Sequence, residues 1–332
     1  MMRDEKYVGH YSQIYGVEEH RLVGGRGDGM HLLQVRNGRG LEFTVSADRC
    51  ADISRLSLLG MNLNYFSPCG YVAPQYYDKE DFGFLKSFTC GFLTTCGLSS
   101  IGTPSVDRDE RFPLHGSISN IPAERISYDY CNDEIVIKAT VRDAAIFNRK
   151  LVLERTITCS LDRNVLRISD VIKNEGYEEV PVMILYHTNI GYPLLDESAE
   201  LRIASTRVEP RDNRAKEGIG EWSKMLPPQA GFAEQCYYHS FGGGRGSVKV
   251  YNQRIQRGLA LGFDTKQLSH FVEWKMMGER DYVLGLEPCN SRIEGRKTAR
   301  EKGELDFVRP GETRAFELCF DFFDTKSDWE LA

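Results

Sequence analysis

The sequence predicts an all-β fold built largely from antiparallel strands, with few short helices. Apolar and polar residues alternate with a period of two in runs along the whole 332-residue chain, and this pattern is typical of antiparallel strands with one buried face. Turn-forming residues separate the runs at intervals of roughly ten to fifteen residues, as expected for strands joined by hairpins. Helical periodicity is scarce.

Four runs show the alternation most clearly, at residues 134–142, 150–161, 165–173 and 314–323. Arg155 interrupts the apolar face of the second run. One or two helical turns are predicted at residues 76–88, after Pro74. The glycine-rich residues 242–246 predict a loop between two strands, because no helix follows them that could form a phosphate site.

Residues 1–332 are predicted to form a single domain, because no change of composition divides the chain and no short repeat is evident. Length alone would suggest about two domains, but large β-sandwiches exceed that rule. Hydrophobic residues make up 41% of the chain and charged residues 27%, which is typical of globular proteins. The net charge is −6, with dispersed Lys and Arg. A nucleic-acid partner is therefore not expected, since binding one requires a basic face.

A cytoplasmic location is predicted from the N-terminus and the cysteines. The first residues are charged and no apolar stretch follows them, so we expect no signal peptide. No run approaches the roughly 18 apolar residues of a membrane helix, and no membrane partner is expected. The nine cysteines are scattered. Cys90 and Cys96 are poorly spaced for zinc, so mostly buried thiols are predicted.

Three proton-handling residues, His115, His187 and Glu287, stand at the edges of apolar or glycine-containing segments. A buried charge or imidazole is costly unless it is paired or used. If the three converge in space, they would form a cleft that moves protons. The hypothesis is an acid–base enzyme that needs no cofactor and no metal.

The neighbours of His187 and Glu287 support a strand that leaves the core at each of these two positions, and the small Gly116 beside His115 would permit close approach by a ligand. Asn189 shares a strand face with His187, and the face changes from apolar to polar along the strand. Gly285 leaves open volume beside Glu287, while Pro288 removes a backbone donor. The competing interpretations are a histidine satisfied by a backbone carbonyl and a glutamate paired with an arginine.

Seven further residues are candidates for binding substrate. The Arg49 guanidinium could hold sugar hydroxyls or a carboxylate, although a salt bridge to Asp48 or Asp52 competes with this role. Trp274 could stack on a sugar face, but core packing is an equal alternative. Asn189 is a candidate because it shares the strand face of His187. The remaining candidates are polar residues in apolar or aromatic settings with weaker individual support: Lys275, Arg211, Glu234 and His239.

Five phrases in this order resemble the galactose mutarotase (aldose 1-epimerase) superfamily, and within it an uncharacterised aldose-1-epimerase-like family. The phrases are Asp-Arg-Cys-Ala-Asp-Ile at 48–53, Thr-Thr-Cys-Gly-Leu at 94–98, Leu-His-Gly at 114–116, Leu-Tyr-His-Thr-Asn-Ile-Gly-Tyr-Pro at 185–193, and the stretch from Trp-Lys-Met at 274–276 to Leu-Gly-Leu-Glu-Pro at 284–288. Together they extend over about three quarters of the chain, and the flanking β pattern covers the rest.

The resemblance implies a β-supersandwich with a sugar bound in a cleft on one sheet. It implies that Glu287 acts as base and His187 as acid, and that His115 and Arg49 contact the substrate. The sequence departs from the usual mutarotase phrase, Asn-His before Tyr-Phe-Asn, at residues 186–189. A convincing counterpart of the sugar-binding Asp that precedes the base is also missing.

The expected activity is interconversion of sugar anomers by acid–base ring opening. The small-molecule sugar could also carry an acidic group held by Arg49, Arg211 and Lys275. Two alternatives stay open: a non-catalytic carbohydrate-binding or sensing protein that uses the same cleft, and a metal site, since two histidines and a carboxylate can form a facial triad. A homodimer is also left open.

Overall fold

The computed structural model describes residues 5–331, and most of them lie in antiparallel strands. The strands are β1 (Gly16–Arg21), β2 (His31–Arg36), β3 (Leu41–Ser46), β4 (Asp52–Leu58), β5 (Met61–Asn62), β6 (Leu93–Leu98), β7 (Ser105–Asp107), β8 (Glu110–Phe112), β9 (Arg125–Cys131), β10 (Glu134–Ala144), β11 (Lys150–Ser160), β12 (Val165–Asn174), β13 (Val180–Ile190), β14 (Ala199–Ile203), β15 (Arg207–Pro210), β16 (Gln235–Ser240), β17 (Arg245–Asn252), β18 (Arg257–Asp264), β19 (His270–Met277), β20 (Tyr282–Cys289), β21 (Asp306–Val308) and β22 (Thr313–Phe323).

Two large sheets and one small hairpin contain these strands. The larger sheet has twelve strands in the order β1-β2-β3-β4-β6-β13-β20-β19-β16-β15, with β5 paired to β4 and β21 to β13. The smaller has eight, in the order β14-β17-β18-β22-β12-β11-β10-β9, and β7 pairs with β8. The central strands β13, β20 and β19 of the larger sheet come from the second half of the chain.

A hydrophobic core lies between the two sheets and contains the residues that the alternation predicted to be buried. On β10 these are Ile135, Ile137, Ala139 and Val141. The predicted runs at 150–161, 165–173 and 314–323 become β11, β12 and β22, which confirms them to within two residues at each end. The all-β prediction is therefore confirmed. Assignment of residues 1–332 to one domain stays a prediction.

Arg155 interrupts the apolar face of β11 because its side chain joins the two sheets inside the core. Its guanidinium donates to Asp170 on β12 at 2.7 and 2.9 Å and to Asp52 on β4 at 2.7 Å. Further bonds run to Thr95 Oγ1 at 2.7 Å and to the carbonyl of Cys50 at 3.1 Å. All five donors of the guanidinium are thus satisfied.

Helices are few and short among residues 5–331. The α-helices are α1 (Asn213–Glu217), α2 (Arg296–Glu301) and α3 (Lys326–Leu331), and the 3₁₀ turns are Glu5–Tyr7, Tyr11–Gln13, Gly25–Gly27, Pro74–Tyr76, Gly83–Lys86, Ile118–Asn120 and Ile219–Glu221. Two of these 3₁₀ turns lie in or beside the predicted helical stretch 76–88, so the helix prediction holds only for single turns. The glycine-rich segment connects β16 to β17, as predicted.

The cysteines are free thiols, and six of the nine are buried, which confirms the prediction of mostly buried thiols. In the part of the chain that the structure describes, no helix combines the length and apolar character that a membrane crossing requires. The cytoplasmic location stays a prediction.

Candidate active site

His187 and Glu287 lie directly opposite each other on neighbouring central strands. In the pairing of β13 with β20, Leu185 faces Cys289 and Thr188 faces Leu286. This antiparallel register sets His187 across from Glu287, because the two residue numbers of every facing pair have the same sum. Side chains of facing residues lie on the same side of a sheet. The hydrogen-bonded pairing of β13 with β20 therefore brings the imidazole and the carboxylate together.

The pair projects from the face of the larger sheet that is turned away from the smaller sheet. Tyr186 and Leu286, one position along each strand, pack in the core between the sheets. Leu185 and Cys289, two positions along, belong to a separate apolar cluster on the other face. Since side chains alternate along a strand, His187 and Glu287 share the outer face with that second cluster.

The two side chains are buried and close, but they are not aligned as a hydrogen bond. His187 Nε2 lies 3.1 Å from Glu287 Oε1, and both residues are at most 3% exposed. Within the described residues, Glu287 Oε1 and His187 Nδ1 have no hydrogen-bond partner. Buried polar atoms are normally satisfied, so unpartnered ones indicate a place where a ligand can bind.

Burial shifts the two pKa values in opposite directions. The pKa of Glu287 is raised well above its ordinary value by burial and, secondarily, by the Glu234 carboxylate. Burial and the neighbouring His115 lower the pKa of His187 well below its ordinary value. Desolvation disfavours the charged form of each group, so burial shifts both toward their neutral forms, a carboxylic acid and an uncharged imidazole.

His115 joins the pair from a loop that is tied to the edge of β6. Its backbone amide donates to the carbonyl of Gly102 at 2.9 Å, and its carbonyl accepts from the amide of Gly97 at 3.0 Å. His115 has a left-handed φ of 58°, a strained conformation that often occurs at functional sites. Its ring centre lies 5.6 Å from that of His187.

Gly116, the next residue, does not serve the purpose that the sequence suggested. We expected its small size to admit a ligand. Instead it forms a bridge with Gly97, and a Cβ at Gly116 would collide with the carbonyls of Gly97 and Ser100. The close approach is therefore made by the chain's own backbone, which fixes the loop that carries His115.

Acid is expected to destabilise the protein through His115, whose pKa burial lowers from 6.5 to about 4. The unfolded chain binds this proton below about pH 6.5, whereas the folded protein does so only below about pH 4. The free energy of unfolding should therefore fall as the pH drops from about 6.5 to about 4. Because part of the His115 side chain is still exposed to solvent, the loss should not exceed about 3 kcal/mol. Urea unfolding at several pH values measures it. The decline should be shallower in His115→Gln, and an identical pH profile would contradict this assignment.

A cavity of about 420 Å³ opens above the three residues, within the size range of small-molecule sites. His115, His187 and Glu287 line it together with Trp274, whose ring centre lies 5.3 Å from that of His187. The apolar lining includes Phe82, Phe84, Leu85, Phe88, Leu114, Cys236 and Ile293. Three distant parts of the chain thus contribute proton-handling groups to one cavity.

Arg211 and Glu234, which had weak support from the sequence, also line this cavity. Arg211 Nη2 lies 3.1 Å from a carboxylate oxygen of Glu234 and 3.1 Å from one of Asp212. The indole Nε1 of Trp274 donates to the other oxygen of Glu234 at 2.8 Å. Glu234 therefore holds both the guanidinium and the indole in place.

Gly285 provides the space in which the Glu287 carboxylate lies, as the sequence suggested. A Cβ at this position would stand 2.5 Å from Glu287 Oε1 and 3.0 Å from the Cβ of Trp274. Both distances are shorter than van der Waals contact, so a larger residue would displace the carboxylate.

The Gly285→Ala variant is therefore expected to fold but to slow any reaction in which the Glu287 carboxyl group takes part. Misplacement of a reacting group by about 1 Å can cost about 10²-fold in rate. We expect this loss in kcat, measured alongside circular dichroism. Gly220→Ala is the matched control, since a Cβ there meets nothing within 4 Å. Full activity in a folded Gly285→Ala variant would contradict the positioning role.

Arg49 does not line this cavity, so its placement gives no support to the predicted role in binding substrate. Its guanidinium donates to the backbone carbonyls of Ser119, Val72 and Ser87 at 2.5 to 3.1 Å. Burial lowers its pKa to about 10. The proposed salt bridges are replaced by other contacts, because Asp52 pairs with Arg155. Arg49 holds three chain segments together.

Lys275 and His239 also lie outside the cavity. Lys275 follows Trp274 on β19 and therefore points to the opposite face, where its Nζ donates to the carbonyl of Glu221 at 2.8 Å. His239 is buried on that same inner face, with Nε2 3.1 Å from Glu273 and Nδ1 3.0 Å from Ser205. The prediction that these two residues bind substrate is not supported by their placement.

Asn189 is fully buried and does not line the cavity. Its amide donates to the carbonyl of His187 at 2.9 Å. It can therefore support the backbone of the histidine, while its Oδ1 has no hydrogen-bond partner among the described residues. The metal-site alternative likewise finds no candidate: among residues 5–331, His, Cys, Asp and Glu do not assemble in threes that could hold an ion.

Comparisons with known proteins agree with this fold. A "putative aldose 1-epimerase" from Klebsiella pneumoniae superposes with a TM-score of 0.90 at 23% identity, over 97% of this chain and 88% of that one. A galactose mutarotase-like protein from Clostridium acetobutylicum gives 0.68 at 13% identity, over 94% and 100%. Galactose 1-epimerase from Lactobacillus acidophilus gives 0.60 at 11%, over 94% and 99%.

These similarities confirm the β-supersandwich prediction and, at such identities, concern the fold alone. No curated protein sequence matches the chain. The profile of the family described as "Domain of unknown function (DUF4432)" matches residues 27–322. Because this match covers most of its length, the chain belongs to the DUF4432 family, and its fold is that of galactose mutarotase-like proteins.

Proposed function

We propose that the protein interconverts the anomers of an aldose, with His187 and Glu287 as the proton-transferring pair. The observation that carries the proposal is the 3.1 Å approach of His187 Nε2 to Glu287 Oε1 in the wall of an open cavity. Both groups are buried and have an unpartnered atom among the described residues. The aldose 1-epimerase names of the similar solved structures support the same activity.

A carboxyl group beside an imidazole suits a reaction that needs one base and one acid at the same time. A neutral pair and a carboxylate–imidazolium pair contain the same number of protons, so a polar substrate can convert one into the other. In the second form, Glu287 accepts a proton from the anomeric hydroxyl while His187 donates one to the ring oxygen. The bond from the anomeric carbon to the ring oxygen breaks, and an open-chain aldehyde results.

Ring closure after rotation of the aldehyde gives the other anomer. The ring oxygen, now a hydroxyl, returns its proton to His187 as it attacks the carbonyl carbon, and Glu287 returns its proton to the carbonyl oxygen. The two reacting oxygens are attached to the same carbon, so groups about 3 Å apart can reach both. His115 is neutral above about pH 4 and can hydrogen-bond a neighbouring hydroxyl or the ring oxygen.

Anomer exchange can be measured by NMR magnetisation transfer, or by polarimetry of freshly dissolved single anomers, across a panel of aldoses. Positioned proton transfer typically accelerates a reaction by about 10²–10⁴-fold, so exchange of at least one sugar should be clearly faster with the protein than in buffer. Saturable sugar binding without any acceleration would support the non-catalytic binding alternative instead.

A further inference from the structure

One side of the cavity is formed by aromatic and aliphatic side chains of residues 82–88. Phe84 and Phe88 are buried, and their rings lie 5.4 Å from His115 and 5.1 Å from His187, centre to centre. Phe82 and Leu85 are 57% and 54% exposed at the mouth. Apolar side chains that are left in contact with water beside a cavity are typical of ligand-binding grooves.

Most polar groups that line the cavity already have partners. The hydroxyl of Thr103 donates to the carbonyl of Ile293 at 3.2 Å. Both oxygens of Glu234 accept, from Arg211 and Trp274. The buried unpartnered side-chain atoms in the cavity lining, within the described residues, belong to His115, His187 and Glu287. Those three are taken by the reacting oxygens and their immediate neighbour.

A fully hydroxylated sugar therefore fits this cavity poorly. A hydroxyl that leaves water for the apolar side finds no partner there, which costs about 1–3 kcal/mol. An acidic substituent fits no better, because Glu234 and Glu287 line the same cavity and the Arg211 guanidinium already pairs through Nε and Nη2 with the carboxylates of Asp212 and Glu234. A methyl or alkyl group against Phe82 and Leu85 would instead remove apolar surface from water.

We infer that the substrate is an uncharged aldose with an apolar side: a deoxygenated carbon or an alkyl-substituted hydroxyl that lies against residues 82–88. This inference rests on the proposed anomer exchange for its place in the reaction. Phe82 and Leu85 are then residues that determine specificity, while His187 and Glu287 carry out the chemistry.

The test compares one parent aldose with its monodeoxy and mono-O-methyl derivatives, with modification at each carbon other than the anomeric one. At one or more positions, kcat/KM for anomer exchange should exceed that of the parent by about 5–100-fold, the equivalent of one unpaired hydroxyl. The 6-phosphate of the parent should show no gain. If every derivative is equal to or poorer than its parent, the inference is wrong, although anomer exchange itself would stand.

Two variants locate the preference in the cavity mouth. In Phe82→Ser/Leu85→Ser, the ratio between the preferred derivative and the parent should fall toward one. The matched control is Phe147→Ser, since Phe147 is 92% exposed in the turn between β10 and β11 and does not line the cavity. An unchanged ratio in the double variant would overturn the assignment to residues 82–88.

Binding separates this inference from the proposed function. Calorimetric titration of the Glu287→Gln variant gives Kd for each sugar without turnover. A 5–100-fold lower Kd for an apolar derivative is expected and would uphold the substrate class even if no sugar is anomerised. Equal or weaker binding of all derivatives would overturn it.

Discussion

Replacing Glu287 with glutamine is expected to slow the catalysed exchange of anomers by about 10²–10⁴-fold, the range that a positioned proton-transfer group supplies. The amide has nearly the same shape as the carboxylic group, but it cannot exchange a proton with the anomeric hydroxyl. His187→Asn should lose activity to a similar extent, because the two residues act as one unit. NMR magnetisation transfer at saturating sugar measures kcat directly.

The chain offers a matched control for this variant. His31 Nε2 and Glu19 Oε2 form another histidine–glutamate pair, 2.6 Å apart, at the surface between β1 and β2. Glu19→Gln should leave anomer exchange unchanged. The assignment of Glu287 fails if its glutamine variant is folded, binds sugar and exchanges anomers at the rate of the unaltered protein.

Removal of the Arg155 guanidinium is expected to produce the largest loss of stability. In Arg155→Met, the carboxylates of Asp52 and Asp170 stay in the core without their counter-ion. Breaking a buried ion pair from one side typically costs about 3–5 kcal/mol. We expect a loss of this size in the free energy of unfolding, measured by urea denaturation. Tyr186, whose hydroxyl donates to Asp170 at 2.8 Å, ties the cluster to the strand that carries His187.

Two further variants test whether the loss of stability is caused by unpaired charge in the core. Arg167→Met removes an exposed arginine that pairs with Glu134 across 3.3 Å on the outer surface of the same sheet, and it should cost less than about 1 kcal/mol. Adding Asp52→Asn and Asp170→Asn to Arg155→Met should recover part of the stability, since no unpaired charge is then buried. If the triple variant is no more stable than the single one, charge is not the cause.

The strands of the fold could be predicted because the alternation of apolar and polar residues along a strand is a local property. Each inward residue of β10, β11, β12 and β22 follows from its neighbours alone. Arg155 was visible as an interruption, but its partners on β4 and β12 are brought to it by packing between sheets. A local pattern can show that a buried charge needs a partner without identifying it.

The site could be predicted only in part for a related reason. The alternation of side chains along a strand put His187 and Glu287 at cavity-facing positions. Their pairing, however, depends on the register between two strands about a hundred residues apart in sequence. The same alternation places Lys275 and Trp274 on opposite faces of their strand, so applying it would have removed Lys275 from the candidates. Arg49 carried no such signal, because the carbonyls that it binds come from three loops.

The apolar wall at residues 82–88 illustrates a different limit. Its phenylalanines predict burial, and the sequence favoured a short helical turn there. Phe82 is exposed whereas Phe84, two residues further along, is buried, because the segment borders an opening rather than the core. The shape of an opening is a property of the assembled fold.

The paired strands β13 and β20, which align His187 with Glu287, belong to the framework of the larger sheet. Connecting segments supply part of the surface around the two residues. Relatives with this framework would therefore keep the proposed proton transfer and differ in their sugars through changes in residues 76–88. Grafting such a segment from one family member to another would transfer selectivity as a module and leave the reactive centre in register.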